Sequence, residues 1–256
     1  MPEACCQLVE HAAHRRPAYE AGLHAAGFSI IARPPARPRP DDVLVIWNRR
    51  GPQHQLACAY ERVGAKVLIA ENGYISPPGQ KLYALAIGKH NGAGEWREGG
   101  AERWDQLGVP LAPWRAEGRH VLLLPQRGIG TAGVAMSPTW PRTTHLRLQQ
   151  ATQRPIQIRH HPGRDKTEPY EALAGAHAAV TWGSGAGIKA LAAGIPVFHG
   201  FPSWIGAPAA LPFGPEADLE RPLLGDRLPM FRRLAWAQWS LGEIQSGEAF
   251  AWLMNL

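Results

Sequence analysis

Short apolar runs alternate along this chain with segments whose apolar residues recur at helical spacing, and this alternation restricts the fold more than any other feature. In the first half, the apolar run 43–47 is followed by a helical pattern over 53–63, and then by Gly64 and a second apolar run over 66–70. A strand–helix–strand unit of this kind is expected to cross over right-handed and to place its strands parallel.

The second half repeats this alternation over a longer stretch. The predicted strands are 120–125, 156–160, 178–182 and 195–199, and the predicted helices are 141–151, 168–175 and 186–193. The segment 226–254 has helical spacing and is predicted to form two helices. The predicted fold class is α/β, with two Rossmann-like domains facing a cleft and C-terminal helices, although alternation alone also allows one doubly wound sheet.

The proline- and glycine-rich stretches suggest where these units meet. Residues 108–119 resemble an interdomain linker. We therefore predict an acceptor-side domain over 1–115, a donor-side domain over 116–225 and a C-terminal helical segment over 226–256.

The composition indicates a globular protein with anionic partners. The 256 residues carry a formal net charge of +6, which favours nucleotide phosphates, nucleic acid or an acidic glycan, although surface solubility alone would also explain it. Cys5, Cys6 and Cys58 provide neither a disulfide framework nor zinc-ligand spacing. No signal-peptide core and no run of about 20 apolar residues is found. A cytoplasmic protein without membrane association is expected.

Three polar motifs follow directly after predicted strands. They are Glu71-Asn72-Gly73, His161-Pro162 and Thr181-Trp182-Gly183-Ser184-Gly185. Because ligands of open α/β sheets bind outside the carboxyl ends of the strands, we expect these motifs to face one cleft. A carboxylate, an imidazole and a Gly/Ser-rich turn can deprotonate a hydroxyl, hold a phosphate and stabilise a departing nucleotide. This combination predicts a glycosyltransferase that uses a nucleotide-sugar.

The glycine-rich turn after the strand at 178–182 predicts a phosphate site. Ser184, Gly185 and Gly187 open a predicted helix, whose free N–H groups and dipole favour an anion. The next strand ends at His199 without the carboxylate that a nicotinamide dinucleotide requires, so this cofactor is not expected. A tight turn that packs helix on strand would explain Gly187 well and Ser184 poorly.

His161 has basic surroundings after the strand at 156–160. Neighbours such as Arg159 and Lys166 would lower the pKa of its imidazole unless a phosphate shares the site, and an exposed polar turn is the alternative. The sequence contains no Asp-x-Asp motif, so charge on a leaving phosphate is expected to fall on His161, helix N–H groups and Arg127 rather than on a metal ion. The residues predicted to bind the donor are Arg127, Gly128, His161, Pro162, Thr181, Ser184, Gly185, Gly187 and Lys189.

Glu71 ends an apolar strand and precedes an Asn-Gly turn. Carboxylates are seldom buried without a partner, so this one is a candidate general base, with a helix cap or a surface turn as the alternative. Glu71 and His161 are the predicted catalytic residues. Because the motifs contain no second carboxylate to act as nucleophile, we expect inversion at the anomeric carbon.

The three motifs also resemble a known group of enzymes. Bacterial capsule-type glycosyltransferases of the GT-B fold, including Kdo transferases and bacterial sialyl- and polysialyltransferases, carry an acidic-x-Gly, a His-Pro and a Ser/Thr-rich motif in this order. The matching positions here are Glu71-Asn72-Gly73-Tyr74, His161-Pro162, and Thr181 with Ser184. The run 185–197 is similar to the donor-side helix and strand of many GT-B enzymes. The resemblance implies that Glu71 is the catalytic base and that the other two motifs bind the donor nucleotide.

The acceptor is predicted from the arginines of the first half. They cluster at 15–16, 33–39 and 49–50, beside aromatic and amide groups that can stack on or hydrogen-bond a base. Residues 43–100 and 178–210 are similar to phage glycosyltransferases of DNA hypermodification, which implies a 5-hydroxymethylpyrimidine in DNA as acceptor. The residues predicted to bind it are Asn48, Arg49, Arg50, Asn72, Gly73, His90 and Asn91.

Other functions stay open from the sequence. The acceptor can instead be a capsule glycan, and an epimerase on the same fold would keep the phosphate contacts without an acceptor surface. An inactive nucleic-acid-binding module would use the basic patches alone. No metal and no cofactor are predicted, and the co-substrate is expected to be a UDP-sugar rather than a CMP-sugar. The glycine-rich segment 88–106 is predicted to be a functional loop near the cleft, and the oligomeric state is left open.

Overall fold

The computed structural model describes residues 1–8, 15–161 and 168–255, which form two β-sheets with helices packed on them. The strands are β1 (Glu3–Gln7), β2 (Ser29–Ile31), β3 (Val43–Ile46), β4 (Lys66–Asn72), β5 (Leu82–Ile87), β6 (His120–Leu124), β7 (Ile156–Ile158), β8 (Ala176–Thr181), β9 (Val197–His199), β10 (Leu211–Pro212) and β11 (Gln238–Ser240). The helices are α1 (Arg16–Ala25), α2 (Pro52–Arg62), α3 (Glu102–Leu107), α4 (Trp140–Ala151), α5 (Tyr170–Leu173), α6 (Gly185–Ala192), α7 (Leu228–Ala235), α8 (Leu241–Gln245) and α9 (Glu248–Met254). The mixed α/β class agrees with the prediction, and the strands form two sheets rather than one doubly wound sheet.

The first sheet has the strand order β11-β5-β4-β3-β1-β2. Strands β2, β1, β3 and β4 pair in parallel, whereas β5 runs antiparallel to both β4 and β11. Every residue of β3 is buried, as expected for a parallel strand covered on both faces. The last residues of β4 are Glu71 and Asn72, so the acidic motif lies at the carboxyl end of a central strand.

The second sheet has the order β10-β9-β8-β6-β7, and its neighbouring strands pair in parallel. Helix α6 connects β8 to β9. Thr181, the last residue of β8, is the register partner of His199, the last residue of β9. His161 follows β7 at the same edge of the sheet. The second and third motifs therefore lie at the carboxyl ends of strands in one sheet.

The C-terminal segment returns to the first sheet. Strand β11 pairs with β5, with Trp239 opposite Tyr83, and α8 and α9 pack against α1. The helical pattern over 226–254 predicts two helices, whereas the described part of this segment forms α7, β11, α8 and α9. The difference arises because a three-residue strand is too short to carry a readable periodicity.

The two sheets are joined by a common hydrophobic core. Its buried side chains include Tyr74 and Ala84 from the first half, and Leu124 and Ile188 from the second. Phe231 of α7 belongs to the same core. Because protein interiors are close-packed, this shared core fixes the two sheets relative to each other in the described state.

Gly22 of α1 allows a test of the contact between the C-terminal segment and the first sheet. A methyl group at Gly22 would lie 1.7 Å from the carbonyl oxygen of Ile244, a backbone atom that moves only if α8 moves. We therefore expect Gly22→Ala to lower the free energy of unfolding by about 1–3 kcal/mol, although alanine is the better helix former.

The matched control is Gly242→Ala in α8, where the added methyl would meet nothing closer than the Ser240 hydroxyl at 3.9 Å. This substitution should leave the free energy of unfolding unchanged or raise it by up to about 1 kcal/mol. Chemical denaturation of both variants measures the difference. Equal stability of the two variants would show that α1 and α8 do not pack as described.

Candidate active site

The Glu71 carboxylate is held by the loop that follows β5. Its Oε1 lies 3.2 Å from Nδ1 of His90, and its Oε2 accepts a 2.8 Å hydrogen bond from the backbone N–H of Asn91. The hydroxyl of Tyr74 also hydrogen-bonds to the carboxylate. The Glu71 side chain is 23% exposed, so it is mostly buried and oriented by the protein while keeping some contact with solvent.

Tyr74 is buried beneath the acidic motif. Burial, and then the negative charge of Glu71, raise the pKa of its hydroxyl well above the usual value. The hydroxyl therefore stays protonated and donates to Glu71, while the backbone N–H of Gly92 donates to the tyrosine oxygen. Tyr74 thus links the acidic motif to the loop that holds its carboxylate.

His90 is predicted from the sequence to bind the acceptor, and its side chain is only 2% exposed. Its Nε2 accepts a 2.8 Å hydrogen bond from the backbone N–H of Arg49, and its Nδ1 faces Glu71. Both ring nitrogens are therefore engaged within the protein.

Arg49 is also engaged within the protein. Its guanidinium bridges the carboxylate of Glu61 on α2 and the carbonyl oxygen of Gly88. The hydrogen bonds that Arg49 donates to the Glu61 carboxylate raise the pKa of its guanidinium. An acceptor contact by this side chain would require the bridge to open. The other predicted acceptor residues, all exposed or partly exposed, are Asn48, Arg50, Asn72, Gly73 and Asn91.

The prediction of a DNA acceptor also depends on other arginines, and two of them form ion pairs with acidic residues of this chain. Arg39 Nη2 lies 3.1 Å from Oδ1 of Asp42. Arg16 Nε lies 2.7 Å from Oε1 of Glu20, one helical turn away. Together with the bridge of Arg49, these pairs reduce the positive charge available to a phosphate backbone.

The turn 181–185, which is predicted to bind the donor and is called the donor turn below, is held by its own hydroxyl groups. Ser184 is the N-cap of α6, and its Oγ accepts a 3.4 Å hydrogen bond from the N–H of Gly187. Oγ1 of Thr181 is buried and lies 3.1 Å from Ser184 Oγ and 3.1 Å from the carbonyl oxygen of Leu124. Helix capping therefore accounts for Ser184, which a tight turn alone does not explain.

The glycines of this turn have different surroundings. A methyl group on Gly187 would lie 2.9 Å from the ring of Trp204, and one on Gly183 would lie 3.1 Å from it. A methyl group on Gly185 would meet no atom within 4 Å. Gly183 and Gly187 therefore permit close packing, whereas Gly185 borders open space at the start of α6.

His161 lies in a positively charged environment beyond the end of β7. Desolvation, and then the charges of Arg127 and Arg159, lower the pKa of His161. Arg127 is exposed, and Gly128 after it has a φ of +64°. An anion placed among the side chains of His161, Arg127 and Arg159 would be attracted to each of them. Pro162, also predicted to bind the donor, lies outside the described residues.

Lys189 of α6 forms an ion pair with Glu168. Its ammonium also lies 5.7 Å from the ring centroid of Tyr170. These contacts tie α6 to the start of α5, so a donor contact by Lys189 would require an exchange of partner.

The loop 88–94 connects the two halves of the candidate site. The backbone N–H of Asn91 donates to Glu71, the predicted base. The carbonyl of the same residue accepts a 3.3 Å hydrogen bond from the backbone N–H of Ile205. Gly92 has a φ of +68°, and a side chain there would lie 2.2 Å from Cβ of Ile205. Ile205 follows the tryptophan that packs on the donor turn, so one chain of contacts runs from the carboxylate to α6.

A hollow of about 420 Å³ opens beside this connection. It is lined by loop residues 92–94, by 202–204 and by Arg233, among others. Arg233 is paired with Glu98 and lies over the ring of Trp96. The hollow is thus adjacent to the loop that holds the carboxylate, and Glu71 itself does not line it.

The described residues contain neither a cluster of potential metal ligands nor a membrane-spanning helix. No three His, Cys, Asp or Glu side chains in ranges 1–8, 15–161 and 168–255 are grouped so that they could hold a metal ion. Within the same ranges, no helix combines the length and the apolar character needed to cross a membrane.

The contacts that Tyr74 and His90 make with Glu71 are not predicted from the sequence. One signal points towards them. The connection 73–81 between β4 and β5 is shorter than the dozen or so residues that a parallel crossover needs. Strand β5 must then run antiparallel, and the polar loop after it has to pass close to β4.

Comparison with known proteins identifies similar structures but no sequence family. The sequence matches no family model and no curated protein. Similar solved structures include a Thermosulfurimonas dismutans KpsC, beta Kdo 2,7 transferase, with a TM-score of 0.59 and 14% identity over 98% of this chain and 99% of that chain. Another is a Thermosulfurimonas dismutans KpsC, beta Kdo 2,4 transferase, with a TM-score of 0.58 and 17% identity over 94% of this chain and 92% of that chain. At these identities the likeness is one of fold, and it extends over nearly the whole chain.

Proposed function

We propose that this chain is a glycosyltransferase that moves a sugar from a nucleotide-sugar to a hydroxyl group of a glycan. The observation that carries the proposal is the environment of Glu71, a carboxylate held by His90, Asn91 and Tyr74 at the carboxyl end of β4. The loop that holds it also contacts the half that contains α6. Additional support comes from the fold, which is shared with two structures named as Kdo transferases.

In the proposed reaction, Glu71 acts as the general base. The acceptor hydroxyl gives its proton to the carboxylate while its oxygen forms a bond to the anomeric carbon of the donor. The bond between that carbon and the phosphate oxygen breaks, and its electron pair leaves with the nucleotide. Because a single displacement needs one base and no carboxylate nucleophile, the configuration at the anomeric carbon is inverted.

The leaving nucleotide would be stabilised by positive groups of the second half. His161 and Arg127 are candidates for this role because they lie in one cationic cluster. The open side of Gly185 leaves room for a phosphate at the start of α6. These groups act where negative charge develops, so the proposed reaction requires neither a metal ion nor a further cofactor.

A glycan of the capsule type is the favoured acceptor, and DNA is the alternative. The fold similarity to Kdo transferases favours the glycan. The arginines at 16, 39 and 49 pair with acidic residues of the chain, which weakens the case for a phosphate backbone. Kdo is therefore the first sugar to test, although the sequence favours a UDP-sugar over a CMP-sugar as donor.

The function can be tested with a matrix of donors and acceptors. CMP- and UDP-sugars, including an activated Kdo, are offered with acidic oligosaccharides and with duplex DNA that carries 5-hydroxymethylcytosine, and products are identified by mass. We expect transfer to an oligosaccharide that persists in EDTA. Transfer to DNA would restore the DNA acceptor, isomerised donor would indicate an epimerase, and no reaction with any pair would contradict the proposal.

Substitution of Glu71 by glutamine tests its role as base. We expect Glu71→Gln to lower kcat by about 10²–10⁴-fold, because an amide cannot accept the acceptor's proton. Donor affinity should be retained. The variant should also be less stable. Its NH₂ group replaces a carboxylate oxygen that accepts a hydrogen bond from His90 or Asn91, so two donors would face each other.

A suitable control for this variant is Glu20→Gln. The Glu20 side chain is 27% exposed, close to the 23% of Glu71, and it also accepts a hydrogen bond from a neighbouring side chain. Its amide variant should keep wild-type kcat. Wild-type turnover by Glu71→Gln would remove Glu71 from the mechanism.

His161 should make donor binding depend on pH. Its pKa is lowered in the free protein, and an anionic phosphate would raise it again. Binding is then accompanied by proton uptake, so donor affinity should increase as pH falls from 8 towards 6. His161→Ala should weaken binding about tenfold and abolish this trend.

Titration calorimetry in buffers of different ionisation enthalpy measures the proton uptake directly. His160→Ala, which removes the adjacent exposed imidazole, should keep it. If His161→Ala retains the same proton uptake as the wild-type protein, His161 does not contact the donor phosphate.

A further inference from the structure

We propose that His90 is a positioning residue, which keeps its ring proton on Nδ1 and thereby fixes the orientation in which Glu71 receives the acceptor's proton. The inference rests on the proposed function, in which Glu71 is the base. It assigns His90 a different task from the acceptor contact that the sequence predicts.

The hydrogen bonds around His90 determine its tautomer. The backbone N–H of Arg49 can only donate, so Nε2 of His90, 2.8 Å away, must be the unprotonated nitrogen. The ring proton then lies on Nδ1, which is 3.2 Å from Oε1 of Glu71 and donates to it. A neutral imidazole of this tautomer satisfies both neighbours.

This tautomer excludes His90 as a second base. To accept a proton, Nε2 would have to lose the hydrogen bond from Arg49 and leave a backbone N–H without a partner in a buried position. The proton taken from the acceptor therefore stays on Glu71 until it is released to solvent. His90 orients the Glu71 carboxylate. Its N–H occupies one lone pair of Oε1, so fewer lone pairs remain on which the carboxylate can accept the acceptor's proton.

The backbone of Arg49 is itself immobilised. Its guanidinium bridges Glu61 on α2 and the carbonyl of Gly88, the residue directly after β5. The bridge therefore fastens both the segment that donates to His90 and the start of the loop that carries His90. The side chain of His90 is 98% buried by this arrangement, since only 2% of it is exposed.

The titratable groups that face Glu71 in the described residues define what a pH profile will report. They are His90 from the loop after β5 and Tyr74 from the connection after β4. The Arg49–Glu61 pair lies on the other side of His90. The pKa of the Tyr74 hydroxyl is raised, so this group stays protonated and does not contribute to the acidic limb of kcat.

The test compares two substitutions of His90. His90→Phe keeps a ring but removes the donor, so kcat should fall about 10–100-fold while KM for the acceptor stays within about twofold. Loss of a hydrogen bond to the charged form raises the pKa of a carboxylate, so the acidic limb of kcat should move to higher pH. His90→Asn carries an amide N–H near the position of Nδ1 and should restore much of kcat and shift the limb back.

His177→Asn is the control for the loss of a buried histidine. His177 is 3% exposed and lies on β8 in the second sheet, where its Nε2 is 2.9 Å from the carbonyl oxygen of Leu219. This variant should lose stability and keep the wild-type pH profile. An unchanged acidic limb in His90→Phe, or a raised KM with unchanged kcat, would overturn the positioning role.

A second measurement separates this inference from the proposed function. Long-range ¹H–¹⁵N correlation spectra of the wild-type protein report the tautomer of His90 whether or not any substrate is turned over. Because they use the wild-type protein, the result does not depend on whether a variant folds. We expect a proton on Nδ1 and none on Nε2. A proton on Nε2 would contradict the inference, whereas an Nδ1 tautomer in a chain without transferase activity would overturn only the function.

Discussion

A carboxylate that has lost most of its contact with water has to be supplied with hydrogen-bond donors, and the arrangement around Glu71 follows from this requirement. The donors come from Tyr74 and from the loop after β5. Tyr74 is satisfied in turn by the N–H of Gly92, and His90 by the N–H of Arg49. Tyr74 and His90, which orient the carboxylate, are thus themselves oriented by backbone N–H groups.

The glycine-rich segment 88–106, whose first part is this loop, is also held by the C-terminal segment. The indole of Trp236 donates a 2.9 Å hydrogen bond to the carbonyl of Gly100, and Gly99 packs so closely on that ring that a methyl group would lie 2.4 Å from it. Arg103 then donates to the carbonyls of Ala235 and Gln238. Residues more than 130 positions apart along the chain are therefore joined just beyond the loop that holds Glu71.

The sequence predicts the parts of the fold that depend on local pattern. A buried parallel strand such as β3 is a continuous apolar run. The polar residues at the carboxyl ends of β4 and β8 mark the candidate site. Strand β11 is not predicted, because its three residues acquire a partner only in β5. Likewise, no local pattern reveals that Arg49 is committed to Glu61, since the ion pair depends on how α2 packs.

The order of the strands in the chain has a consequence for how the protein is made. All strands of the second sheet, from β6 to β10, lie in sequence between β5 and β11. During synthesis, one edge of β5 therefore stays unpaired until the whole second sheet has left the ribosome. An unpaired strand edge is a site of aggregation. The second sheet has no such dependence on later strands. The half of the protein that is translated first is consequently the half that is completed last.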